Sequence, residues 1–128
     1  MVDYTKIPAM QKKVTFSVSS AQLVGGSTAT LNGGGYANST SNYDLFNLPA
    51  NCLITDAYVH AEEAGQATLT CSVGFSGGTE LINAGAVSTI TVVKDAGIKI
   101  PTTTGKLVTA KFSAAPTQGR FWVIVKYV

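Results

Sequence analysis

The sequence predicts an all-β domain, a two-sheet antiparallel β-sandwich with jelly-roll-like connections. Apolar residues alternate with polar residues over several short segments, which is the pattern of half-buried strands. Turn-forming Gly, Pro, Asn and Asp separate those segments at close intervals, as in sandwiches and barrels. A chain of 128 residues is long enough to bury one core without metals or disulfides, so we expect a single domain.

The segment 42–61 contains the two strands around which we expect the sandwich to be built. One apolar run covers residues 43–48 and a second covers residues 53–59. Between them, Pro49 lacks an N–H donor and Asn51 tolerates the left-handed backbone of a tight reversal, so a corner is predicted there. Both runs have apolar residues on both faces. This predicts a sandwich interior on one side and a second covered surface on the other.

The other elements follow in chain order. Residues 1–13 are expected to form an N-terminal arm, and residues 14–128 the sandwich domain. Val14, Phe16 and Val18 alternate with polar residues and predict the first half-buried strand. A glycine-rich loop is expected over 25–41, with a short strand near 28–31. Later strands are predicted over 67–75, 79–83, 88–94, 97–100, 106–113 and 120–128, which makes nine without the short strand near 28–31.

The two cysteines are predicted to be free thiols. If residues 53–61 and 66–75 form a hairpin around Glu62-Glu63-Ala64-Gly65, Cys71 lies about four positions from the residue opposite Cys52. At ~3.4 Å per residue that is more than ~13 Å, beyond the ~7 Å Cα limit for a disulfide. Cys71 alternates with Leu69 and Val73, so we interpret it as a small buried apolar residue.

Composition and charge indicate an assembly. The chain is 45% hydrophobic and only 12% charged, against a usual charged share of about 25%. Its mean hydropathy of +0.23 is high for a monomer of this size. Burial of apolar surface against another chain is the simplest way to remove that surface from water. A net charge of +2 without a clustered basic stripe predicts no nucleic-acid partner. The start of the chain has no apolar signal core and residues 121–125 are too few to cross a bilayer, so we expect synthesis in the cytoplasm and no membrane partner.

Three patterns with a possible chemical role have simpler structural explanations. Residues 74–78 read Gly-Phe-Ser-Gly-Gly, but a nucleophile elbow precedes a helix and its histidine follows the serine, whereas His60 comes before it. We interpret this motif as a β-turn. His60, Glu62 and Glu63 provide one histidine and two adjacent carboxylates, which diverge at a strand end. The glycines at 33–35 lack the lysine of a phosphate loop. We expect no enzyme activity, no cofactor and no metal site.

The aromatic residues leave two interpretations open. Trp122 lies on the opposite strand face from Phe121 and Val123, and Tyr58 lies opposite Ala57 and Val59. An outward Trp and Tyr could stack on sugar rings. Burial of one face in the core and of the other against a subunit accounts for the same pattern with fewer assumptions.

Four segments together resemble a known family. They are residues 48–59 (LPANCLITDAYV), 73–75 (VGF), 116–120 (PTQGR) and 123–128 (VIVKYV). They are similar to small virion proteins of tailed bacteriophages, the capsid decoration or cement proteins of β-sandwich type. The resemblance covers residues 42–128, and residues 1–41 lie outside it. It implies a non-enzymatic structural protein on the outer capsid surface, stabilising the phage head, with the major capsid protein and sister subunits as partners. It also implies a homo-oligomer on the shell and no catalytic residues.

The N-terminal arm is expected to contribute to partner binding, because it combines apolar residues with lysines and is too short to fold alone. The residues expected to contact a partner are Tyr4, Lys6, Ile7, Met10, Lys12, Lys13, Tyr58 and Trp122. The alternative is a glycan-binding or fibre-associated module of a virion that recognises sugar through Tyr58, Trp122 or Tyr36.

Overall fold

The computed structural model describes residues 16–26, 35–94 and 100–128. Over these residues the chain forms ten strands. They are β1 Ser17–Gly25, β2 Gly35–Ala37, β3 Tyr43–Leu48, β4 Cys52–Glu63, β5 Thr70–Phe75, β6 Ile82–Ala86, β7 Thr91–Lys94, β8 Ile100–Thr102, β9 Lys106–Phe112 and β10 Arg120–Tyr127. In the same ranges, no helix is long and apolar enough to cross a membrane.

The strands form two sheets, which confirms the predicted β-sandwich. The larger sheet has the order β2-β1-β10-β4-β7, and β8 also pairs with β4. The smaller sheet has the order β3-β9-β5-β6. The smaller sheet is antiparallel throughout. The larger one is mixed, because the short β2 runs parallel to β1.

The path of the chain between the sheets is that of a jelly roll. After β1 and β2 in the larger sheet, the chain crosses to β3 and returns to β4, then forms β5 and β6 in the smaller sheet. It returns to β7 and β8, crosses to β9 and ends in β10. Because β9 inserts between β3 and β5 and β10 inserts between β1 and β4, the two sheets have the nested Greek-key connections of a jelly roll.

The core lies between the two sheets and consists of alternate residues of their strands. Phe121 and Val125 of β10 are completely buried, as is Val73 of β5 in the opposite sheet. The rings of Phe112 and Phe121 meet across the interior with centroids 5.2 Å apart. This tilted aromatic pair joins the smaller sheet to the larger one.

The predicted corner is present at Asn51. This residue has φ 58, the left-handed conformation that Asn adopts more easily than most residues. It lies between β3 in the smaller sheet and β4 in the larger sheet, so the reversal carries the chain from one sheet to the other. Leu48 at its start and Ile54 beyond it are both buried in the core.

The prediction of a hairpin between β4 and β5 is wrong. β4 pairs with β10, β7 and β8, whereas β5 pairs with β6 and β9 in the other sheet. The connection crosses the end of the sandwich, where Gly65 donates a backbone hydrogen bond to Val87 at 2.9 Å and Thr68 has φ 64. A pairing with β10, distant in sequence, replaces the local one, so that one face of β4 lies in the core beside the buried face of β10.

The prediction of free thiols is nevertheless confirmed. Cys52 and Cys71 are both buried and unpaired, and they lie on strands of different sheets. Burial raises the pKa of the Cys71 thiol from 9.0 to about 12, because a thiolate loses its hydration in the core. The Cys52 sulfur lies 3.0 Å from the Thr102 hydroxyl, which connects β4 to β8.

The first strand differs from its prediction. The alternation predicts a half-buried face for Phe16 and Val18, but these residues are 63% and 57% exposed. β1 instead continues to Gly25 and buries Leu23. The glycine-rich pattern of 25–41 predicts a loop, yet residues 35–37 form β2, in which Ala37 is fully buried. The short strand predicted near 28–31 lies outside the described residues.

Candidate interaction surface

The side of the larger sheet that faces away from the core presents a continuous surface across four strands, which we call the outer face. Its residues alternate along each strand with residues of the core, as the pleat of a sheet requires. They are Val18, Ser20, Gln22 and Val24 of β1; Arg120, Trp122, Ile124 and Lys126 of β10; Asp56, Tyr58, His60, Glu62 and, beside Arg120 at a β-bulge, Glu63 of β4; and Val92 and Lys94 of β7.

Trp122 lies near the middle of the outer face. It is half-buried, while its neighbours Phe121 and Val123 are in the core, so the predicted separation of their faces is confirmed. Its partner across the β10–β4 pair is His60. The indole Nε1 donates a 2.9 Å hydrogen bond to Glu62 Oε2. Trp122 therefore presents a large apolar group on this face with its one polar atom paired.

Tyr58 lies diagonally from Trp122, because its own partner on β10 is Ile124. The ammonium groups of Lys94 and Lys126 each lie 5.4 Å from the centre of the Tyr58 ring. Both distances are within the ~6 Å range of a cation–π contact. Two cations from the flanking strands thus converge on one ring.

Asp56 provides the counter-charge at this end of the face. Lys94 Nζ lies 3.2 Å from Asp56 Oδ1. The hydrogen bond and charge of Asp56 raise the pKa of Lys94, because they favour its protonated form. At the other end, Arg120 and Glu63 are register partners, with a guanidinium nitrogen 4.0 Å from a carboxylate oxygen.

The charges on the two central strands are separated by sign. β10 contributes the cations Arg120 and Lys126, whereas β4 contributes the anions Asp56, Glu62 and Glu63. Between the charged ends lie aromatic and aliphatic side chains. The face is therefore nearly neutral as a whole but carries a positive strand beside a negative one.

Exposed apolar side chains lie near opposite corners of the outer face. Val18 pairs with Lys126 at one end, and Val92 pairs with His60 towards the other. Val18 is 57% and Val92 is 55% exposed. Phe16 and Ile90, close in sequence to these residues, are also exposed. Together with the half-buried Tyr58, Trp122 and Ile124 that lie between them, they extend the apolar part of the outer face, and an apolar surface with polar residues around it indicates an interaction site.

Of the residues predicted to contact a partner, the structure brings Tyr58 and Trp122 together on one face. The other predicted residues lie outside the described part of the chain: Tyr4, Lys6, Ile7, Met10, Lys12 and Lys13. Sequence reasoning missed Lys94, Lys126 and Asp56 as neighbours of Tyr58. The sequence showed that Trp122 and Lys126 lie on the same face of one strand. It did not show that β10 pairs with β4.

The residues weighed for catalysis do not come together. Ser76 lies in the turn between β5 and β6 with φ 49, and no helix follows it, so the prediction of a β-turn is confirmed. In this turn Gly77 N–H donates to Thr109 Oγ1 at 2.7 Å. His60 lies on the other sheet. Among residues 16–26, 35–94 and 100–128, no group of three His, Cys, Asp or Glu residues could hold a metal ion.

Comparison with known proteins shows where this fold occurs. No family model matches the sequence, and no curated protein matches it. A chain in the acid-stable capsid structure of Helicobacter pylori bacteriophage KHP30 superposes with a TM-score of 0.66 at 16% identity, covering 89% of this chain and 87% of that one.

Two further capsid structures contain similar chains. A chain of the cyanophage Pam1 capsid gives a TM-score of 0.64 at 16% identity, covering 92% of this chain and 94% of its own length. A chain of the Ralstonia phage GP4 capsid gives 0.63 at 23% identity, with coverages of 91% and 84%. At these identities the likeness is one of fold, and it extends over nearly the whole sandwich in all three cases.

Proposed function

We propose that this chain is a non-enzymatic structural protein of a bacteriophage virion, and specifically a capsid decoration or cement protein that stabilises the head. The observation that carries the proposal is the near-complete superposition on chains of three phage capsid structures. Both coverages are high in each case, so each matching chain is itself little more than one such sandwich. A single small sandwich suits a component that is added to a shell.

The surface chemistry supports this role. The outer face combines half-buried aromatic residues with paired charges, which is the composition of a protein interface. Tyr58 has an ammonium group on each flanking strand within 5.4 Å of its ring centre. Those groups occupy space that a stacked sugar would need, which favours a protein partner over the glycan alternative.

The proposed mechanism is reinforcement by mass action. A protein that binds the assembled shell but not the free subunits stabilises the assembly, and the stabilisation grows with the logarithm of its free concentration relative to the dissociation constant. The expected partners are the major capsid protein and sister subunits on the outer surface of the virion. The N-terminal arm, with Tyr4, Ile7 and Met10 among its lysines, would add a second contact to each molecule, and repetition over the shell would convert weak contacts into avidity.

A binding experiment tests the proposal. Purified protein is added to phage heads that lack decoration, and the mixture is sedimented. We expect co-sedimentation that saturates at a fixed number of copies per head, together with greater resistance of the heads to heat. Absence of protein from the head pellet at saturating concentration would refute the capsid role. A glycan array on the same preparation should stay blank, and binding to a sugar would favour the fibre-associated alternative.

A further inference from the structure

We propose that the outer face is a self-association surface, on which two copies of this chain pack face to face about a two-fold axis that runs parallel to the strands between β10 and β4. The inference comes from the charges and register of this face. It does not depend on the capsid role, because it concerns the isolated protein in solution.

The register of β10 and β4 defines what such an axis brings together. Lys126 is level with Asp56, Ile124 with Tyr58, and Trp122 with His60. Rotation by a half turn about an axis parallel to the strands leaves each residue at the same position along the strand direction. It places β10 of one copy over β4 of the other. Each outward residue of β10 in one copy therefore faces its own register partner on β4 of the other copy.

This exchange makes the charges complementary at both ends of the face. Lys126 meets the second copy's Asp56, and Arg120 meets the second copy's Glu63, its register partner. At the second of these contacts, the Arg120–Glu63 ion pair of each chain becomes part of a four-charge network between chains. At the first, Lys126 joins an Asp56 that already pairs with Lys94 in its own chain. Such networks are worth more than isolated surface pairs.

The charge pattern also selects this axis over the other simple one. A two-fold axis across the strands would reverse the levels but keep each strand over itself. Lys126 would then face the Arg120 end of the second β10, and Asp56 would face the Glu62 and Glu63 end of the second β4. Like charges opposed in an interface cost several kcal/mol, so that arrangement is disfavoured.

The middle of the face supplies apolar contact. With the axis parallel to the strands, Ile124 covers the second copy's Tyr58, and Trp122 packs near the second copy's His60. Two sheets that pack face to face keep their strands within about 30° of each other, and this axis gives the same near-alignment. The half-buried state of Tyr58, Trp122 and Ile124 in one chain leaves apolar surface to be covered.

The size of the face predicts a weak, reversible dimer. Four strands at about 4.8 Å spacing and the length from Asp56 to Glu62 give a face of about 20 by 20 Å, or roughly 400 Å² per copy. Stable complexes bury about 800 Å² per partner. We therefore expect a monomer–dimer equilibrium that depends on protein concentration.

A charge-inversion experiment tests the proposal without phage heads. One variant carries Arg120→Glu and Lys126→Glu, which makes both central strands negative. The other carries Asp56→Lys and Glu63→Lys, which makes β4 positive beside an unchanged β10. In sedimentation equilibrium, each variant alone should dimerise at least about tenfold more weakly than the native chain. An equimolar mixture should form a heterodimer at least as tight as the native dimer.

Matched controls carry single inversions at exposed positions of the smaller sheet, Lys111→Glu and Asp44→Lys. They should dimerise like the native chain. Circular dichroism and thermal melting establish that every variant is folded. Native protein that stays monomeric at millimolar concentration, or a mixture of the inverted variants that fails to associate, would overturn the proposal.

A second pair of variants tests the axis without altering charge. Chains with Ile124→Cys and chains with Tyr58→Cys are mixed and oxidised, the native cysteines being buried. A mixed disulfide should form faster than either homodisulfide, because the axis places these two positions opposite each other. Preferential cross-linking of each variant to itself would refute the strand-parallel axis. Since neither test contains heads, loss of self-association and loss of head binding are scored separately.

Discussion

The indole Nε1 of Trp122 on β10 donates a 2.9 Å hydrogen bond to the carboxylate of Glu62 on β4. This contact crosses the central pair of the larger sheet on its outer side. The neighbouring Phe121 points the other way, is fully buried and packs against Phe112. Two adjacent aromatic residues therefore serve different purposes, one as core and one as surface.

Substitution of each aromatic residue by alanine should lower the free energy of unfolding by different amounts. Phe121→Ala is expected to lower the free energy of unfolding by about 3–5 kcal/mol, because it leaves a cavity in the core. Trp122→Ala should lower it by less than about 2 kcal/mol, since part of the indole is already solvated. Urea titration followed by circular dichroism measures both values. Equal losses would mean that the outer side of the sheet is also part of the core.

The close approach of Gly25 to the turn before β10 gives a second prediction. A Cβ at Gly25 would lie 2.2 Å from the Gln118 carbonyl oxygen, and the Gly25 N–H donates to Gly119 O at 2.8 Å. Gly25→Ala must move one backbone segment and should cost at least about 1–3 kcal/mol of stability.

Gly35→Ala is the matched control, because its Cβ would lie 3.6 Å from a Leu23 methyl group, an ordinary packing distance. Its stability should stay within about 0.5 kcal/mol of the native value. The two melting curves are compared directly. A Gly25→Ala chain as stable as the Gly35→Ala chain would contradict the tight contact between β1 and the 116–119 turn.

The buried thiol predicts an alkaline weakening of the fold. Cys71 has its pKa raised from 9.0 to about 12 by burial. Below pH 9.0 the thiol is protonated in both states, so its contribution to stability is fully present. Between pH 9.0 and about 12 the unfolded chain loses this proton and the folded chain keeps it. The unfolding free energy should therefore fall by up to about 1.4 kcal/mol per pH unit from this group.

Cys71→Ala removes that contribution. The difference in unfolding free energy between native and variant chains should be constant below pH 8 and should narrow or reverse above pH 9. A difference independent of pH up to pH 11 would show that Cys71 ionises normally. As an independent check, a disulfide reagent at pH 8 should leave Cys71 unmodified in the folded chain and label it in urea.

Deletion of residues 1–11 tests the N-terminal arm. We expect the sandwich to remain folded with a melting temperature close to that of the full chain, because the arm is predicted to lie outside the core. Binding to heads or to a sister subunit should weaken or disappear. The measurements are thermal melting and head co-sedimentation on the same preparation. Undiminished binding would make the arm a passive tail, and failure to fold would make it part of the core.

Local sequence chemistry was sufficient for elements whose conformation depends on neighbouring residues. The corner at Asn51 was predictable because Pro49 and Asn51 restrict the backbone whatever surrounds them. The alternation around Cys71 and Val73 correctly predicted two buried residues. In these segments the sequence pattern and the tertiary environment agree.

Strand pairing was decided by the tertiary structure. A hairpin between β4 and β5 was the local choice, but β4 lies between β10 on one side and β7 and β8 on the other. Phe16 and Val18 likewise have the alternation of a half-buried face and are exposed. Alternation indicates which residues share a face. It does not indicate whether that face meets the opposite sheet or the outside.

The outer face shows the same division. The sequence alone determined that Trp122 and Tyr58 each point away from a buried neighbour, because side chains alternate along a strand. Only the tertiary structure placed Lys94, Lys126 and Asp56 around Tyr58, since these residues come from three strands. Their proximity depends on the register of pairs separated by dozens of residues. Such register is set by which face each strand buries against the opposite sheet and by the turns that join the strands, so it depends on the whole sandwich and not on any single segment.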